Sequence, residues 1–75
     1  MLAQVDIFKL ATLKVLCLEQ KINIKHISIH NIENQQGIVI LFENGFSYEL
    51  SALGFNNKPT SKHLDFIKQR HQKYK

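Results

Sequence analysis

Residues 37–50 read GIVILFENGFSYEL. Two apolar runs flank Asn44-Gly45, the dipeptide best suited to a two-residue hairpin turn. Counting back from that turn pairs Glu43 with Phe46, Leu41 with Tyr48 and Val39 with Leu50. These six then share one face, and Ile38, Ile40 and Phe42 occupy the other. A strand apolar on both sides is expected to lie centrally and to need cover on both faces.

Upstream, residues 22–32 (INIKHISIHNI) are rich in isoleucine and alternate, which predicts another strand. The alternation changes phase between Ile24 and Ile27, so one residue near Lys25 or His26 must absorb the slip, as a β-bulge or a break between two short strands would. A polar turn is expected over Asn34–Gly37. Before the strand, residues 3–20 lack Gly and Pro and are strong helix formers. On this helix Val5, Phe8, Ala11, Val15 and Leu18 make one apolar stripe, and Leu10, Leu13 and Cys17 make a second on nearly the opposite side. The second stripe either lies under the C-terminal helix or forms a homodimer interface.

Downstream, a loop is expected over residues 51–59, then a helix capped by Thr60 or Ser61 and running to about Tyr74. Leu64, Ile67, His71 and Tyr74 mark its inward stripe. The fold class that follows is α+β in the order α-β-β-β-α: a three-stranded antiparallel sheet packed by N- and C-terminal helices, one domain over residues 1–75.

A chain of 75 residues buries only about 60% of the surface its unfolded form exposes. Its core is small, and a homodimer is expected for that reason. One cysteine, Cys17, excludes an intrachain disulfide scaffold. No basic residue precedes the first apolar run, so a signal peptide is not expected. Asp6, Lys9 and Lys14 interrupt that run, which makes it a poor membrane span, since a span needs roughly 20 mostly apolar residues. A cytoplasmic protein is the expectation. The net charge of +4 is unevenly distributed: residues 1–57 hold four Lys against five Asp or Glu, and residues 58–75 hold five Lys and Arg70 against Asp65 alone.

Little in the chain resembles reaction chemistry. His26, Ser28 and His30 alternate along one strand face, but two histidines fall short of the three or four ligands zinc requires. His63 and His71 stand about 12 Å apart along a helix and cannot join on one ion. No metal and no cofactor are expected. His26-Ile27-Ser28-Ile29 resembles the His-x-Ser/Thr-apolar motif of the two-histidine phosphoesterases, whose catalysis uses two such motifs from two halves of a longer chain. This chain carries one, and its strand face is read as facing solvent or a partner. Cys17 lies mid-helix among leucines, a setting for a buried and unreactive thiol. An enzyme is not expected, and no catalytic residue is named.

The terminal segment combines cations with an aromatic. Lys62, Phe66, Arg70 and Lys73 share one helical side, and Lys58 stands near the helix start, a pattern suited to nucleic acid or an acidic partner. The element order also resembles that of double-stranded-RNA-binding domains, which implies minor-groove reading by two helices and an interstrand loop. Only Lys58 and Lys62 stand where such domains carry their basic cluster. The expected function is a small non-enzymatic interaction protein of adaptor or inhibitor type, homodimeric, docking on a protein through a helix face or strand edge. The alternative is a module binding DNA or RNA through residues 58–75.

Overall fold

The computed structural model describes residues 4–73. Helix α1 (Ile7–Glu19) precedes strands β1 (Ile24–Ile32), β2 (Gln35–Phe42) and β3 (Ser47–Ser51). A short helix α2 (Ala52–Asn57) and helix α3 (Thr60–Lys73) complete the chain. The strands form one antiparallel sheet in the order β1-β2-β3. The α+β class and the three-stranded sheet are therefore as expected, and α2 replaces most of the expected loop. Ser51 starts it, its hydroxyl accepting from the Gly54 N–H at 3.1 Å.

The hairpin differs from its expected register by one residue. Phe42 N–H donates to the Phe46 carbonyl at 2.9 Å, and Gly45 N–H donates to the Phe42 carbonyl at 3.0 Å. The loop is thus Glu43-Asn44-Gly45, a tight turn followed by a glycine bulge, with Gly45 at φ +96°. The Asn44 side chain supports it by accepting from Phe46 N–H at 3.0 Å. Because side chains alternate, one residue of shift exchanges the two faces. Tyr48 now stands opposite Ile40 and Leu50 opposite Ile38, while Ser47 and Glu49 join Leu41 and Val39 on the other side. Phe46, Tyr48 and Leu50 thereby join Ile38, Ile40 and Phe42 on one face, and Val39 and Leu41 are left half-buried on the other. No atom lies within 4 Å of a Cβ added at Gly45, so Gly45→Ala should destabilise through the backbone alone, by about 1–2 kcal/mol. Urea midpoints of wild type, Gly45→Ala and Gly45→Asn check this; Asn should recover part of the loss.

The phase slip in β1 falls where the sequence places it. Register shifts between Ile24 and His26, leaving Lys25 bulged. Ile27 and Ile29 then face Ile40 and Ile38, while His26, Ser28 and His30 stand opposite Leu41, Val39 and Gly37. The β1–β2 turn is shorter and earlier than expected: Ile32 pairs with Gln35, so Glu33 and Asn34 make it, with Glu33 at φ 56°.

All three helices supply side chains to the apolar face. Leu10, Leu13 and Cys17 of α1, Ala52 and Phe55 of α2, and Ile67 of α3 are buried with Ile38, Ile40, Phe42, Phe46 and Tyr48. The Phe42 and Phe46 rings stack at 5.5 Å. Leu10, Leu13 and Cys17 are therefore core residues of the protomer, which corrects their candidacy as a dimer interface. They are the inner stripe, packed with α3 below. On α3 Ile67 is buried and Leu64 partly so; His71 is half-buried, edge-on to Phe42 at 6.4 Å. Tyr74 lies outside the described residues.

The N-terminal segment is tied down by polar contacts. α1 starts at Ile7, four residues later than expected, because the Asp6 carboxylate accepts from Lys9 N–H and caps it. The Asn56 amide accepts from Asp6 N–H at 2.8 Å and donates to the Gln4 carbonyl at 2.7 Å. Lys9 Nζ donates to the carbonyls of Asn56 and Lys58 at 2.6 Å each, satisfying the C-terminal end of α2. These bonds fix the rotation of α1 about its axis and hence which stripe faces outward.

Candidate binding surfaces

The outward stripe of α1 is apolar. Phe8 is 87% exposed, Leu18 70%, Ile7 59% and Val15 55%. Ala11 is exposed between them. Scattered exposed leucines are ordinary, whereas large apolar side chains aligned on one helix make a candidate binding surface. Lys14 borders this stripe on one side, and Thr12 and Glu19 border it on the other. Beyond Lys14 a groove runs toward Ile22 and Ile24, with Glu43 at its margin.

A second surface is built on α3. Lys62, Phe66 and Arg70 recur at four-residue steps and share one side. The Arg70 guanidinium carbon stands 5.2 Å from the centre of the Phe66 ring, a cation–π arrangement. Phe66 also rests against Tyr48, with ring centres 5.4 Å apart. On one side of Phe66 a groove of about 720 Å³ opens between α3 and the free edge of β3, lined in part by Tyr48, Leu50, Lys58, Pro59 and Lys62. On its other side a shallower hollow is lined by Gln69, Arg70 and Lys73. All five residues nominated from the sequence thus stand on one strip centred on Phe66.

Beneath this strip lies a polar link that sequence reasoning missed. His63 is fully buried. Its Nε2 lies 3.0 Å from the Phe55 carbonyl, which only accepts, so Nε2 carries the proton. Nδ1 is then free to accept from the Tyr48 hydroxyl at 2.5 Å. The imidazole joins α2, β3 and α3 and stacks on Phe55 at 4.8 Å. Burial, aided by Lys9 and Lys58, holds its pKa below the ordinary histidine value, against the opposing pull of the Phe55 hydrogen bond. One sequence signal could have found it: position 63 lies one helical turn before the inward Ile67.

His26, Ser28 and His30 sit on the sheet face turned away from the core. Both histidines are exposed and Ser28 is half-buried, beside half-buried Val39 and Leu41. Among the described residues no group of three metal-ligating side chains assembles. Cys17 is buried and its thiol is pushed up to about 11, so it is a packing residue and a poor nucleophile. The β1–β2 turn presents Glu33, the wrong charge for a phosphate backbone. No helix among the described residues is long and apolar enough to cross a membrane.

Compared with protein-family models, curated proteins and solved structures, the chain matches none. Its surfaces therefore carry the functional reading.

Proposed function

We propose that this is a small non-enzymatic interaction protein that docks on protein through the outer side of α1. The observation that carries the reading is the exposure of Ile7, Phe8, Val15 and Leu18 on one helix whose opposite stripe already fills the core. Burying such side chains contributes roughly 1.5–3 kcal/mol each, and a protomer this small gains in proportion. The test is gel filtration of the tagged chain from a nuclease-treated native lysate. Wild type should elute well above the protomer's 8.7 kDa, and Phe8→Glu at the protomer mass. A wild-type chain that itself elutes at the protomer mass after nuclease treatment would sink the reading.

A second reading is supported by the strip on α3. Four cations flanking an exposed aromatic, one stacked on it, suit a nucleic-acid backbone with an unstacked base. On this reading retention on DNA or RNA weakens with salt, with a log–log slope of about −2 to −3 if three phosphates are engaged. The combined substitutions Lys62→Glu, Arg70→Glu and Lys73→Glu should abolish it. Filter binding across a salt series measures both.

A further inference from the structure

We propose that the outer side of α1 is covered by the same helix of a second copy, the two helices running parallel and in register about a two-fold axis. This rests on reading that side as a docking surface, and it names the occupant.

The spacing is the first argument. Phe8, Ala11, Val15 and Leu18 recur at three, four and three residues, the step that keeps one seam facing a partner helix. Phe8 and Val15 take the first apolar position of the repeat, and Ala11 and Leu18 take the second. The Val15–Leu18 layer has the β-branched residue followed by leucine that favours two strands in a parallel pair. Ala11 lets the axes approach closely at the centre of the seam.

Charge decides the direction. Lys14 and Glu19 lie on opposite flanks of the seam. In a parallel pair each flank meets the opposite flank of the other helix, and Lys14 falls five residues before Glu19 of the partner subunit, the usual offset for such an ion pair. The two-fold axis makes this contact twice. An antiparallel pair would instead bring like flanks together, Lys14 beside Lys14 of the partner subunit.

The test uses the purified full chain. Light scattering should give twice the protomer mass. Ala11→Cys should oxidise to a covalent dimer, because position 11 meets its own copy at the seam within disulfide reach. Wild type, whose thiol is buried, and Thr12→Cys, on the flank, should not. Lys14→Glu alone and Glu19→Lys alone should each weaken the dimer about tenfold, and an equimolar mixture of the two should recover it. A cross-link in Ala11→Cys/Val15→Cys without one in Ala11→Cys would mean an antiparallel pair and overturn the proposal. A purified chain that stays monomeric while the nuclease-resistant complex persists in lysate would also overturn it, leaving the docking reading standing. If neither assembly is found, both fail.

Discussion

Replacing His63 with alanine is expected to destabilise the protein by roughly 3–5 kcal/mol, as other large-to-small core substitutions with lost hydrogen bonds do. Two costs combine. The fully buried ring leaves a cavity between Phe55, Tyr48 and α3, and the Tyr48 hydroxyl and Phe55 carbonyl lose their partner. A chain of this length is expected to hold only about 4–11 kcal/mol in total, so the variant should lose a large share of its stability, read as a lowered urea midpoint. Tyr48→Phe removes one bond with little loss of volume and should cost about 1–3 kcal/mol.

The same site makes stability depend on pH, with a definite sign. Burial lowers the folded-state pKa of His63, while the unfolded chain takes up its proton near pH 6.5. The unfolded state therefore binds more protons below that value, and stability is complete above about pH 6.5 and falls as the solution is acidified. The slope attributable to one such group is at most about 1.4 kcal/mol per pH unit. His63→Gln keeps a donor and an acceptor but cannot titrate. Urea midpoints between pH 7.5 and 5 should fall faster for wild type than for His63→Gln; equal slopes would refute the assignment.

Phe8→Glu is expected to leave the fold intact and remove association. Phe8 is 87% exposed, so the protomer loses almost no packing, and a carboxylate in the first turn of a helix is favourable. Thermal stability of the isolated protomer should change by less than about 0.5 kcal/mol. Aromatic anchors at an interface centre commonly cost 2 kcal/mol or more when truncated, about thirtyfold in affinity, and a buried carboxylate costs more. Leu18→Lys, whose cation suits the last turn, should behave likewise. The contrast with Leu13, equally apolar but fully buried, is sharp: Leu13→Ala should cost about 2–5 kcal/mol of stability.

That contrast marks where the sequence is ambiguous. Both stripes of α1 are apolar and helically spaced, and nothing local distinguishes them. The choice is made at a distance, by Asn56 and Lys9 binding the segment around Asp6 to the end of α2. The hairpin shows a similar limit. Asn-Gly serves a two-residue turn and, with the preceding residue, a three-residue turn with a glycine bulge; the two differ by one residue of register and so by which face is apolar. The burial of Phe42 and Phe46 together resolves it. By contrast, the bulge at Lys25 is legible, because isoleucines that change phase within one continuous strand stay on one face only if a residue between them bulges out. The strip on α3 is legible from its four-residue spacing. His63 is legible only through its position one turn before Ile67, because a buried polar residue leaves no trace in an apolar pattern, and α2 is too short to show a period.

Radical footprinting of the wild-type chain in nuclease-treated lysate tests most directly whether protein covers α1. In the protomer Phe8 is 87% exposed and Phe66 41%, so an uncovered chain oxidises Phe8 faster than Phe66. A docked α1 reverses that order: Phe8 is oxidised more slowly than Phe66, and the order returns to that of the protomer in Leu18→Lys. Faster oxidation of Phe8 than of Phe66 in the wild-type chain would contradict it.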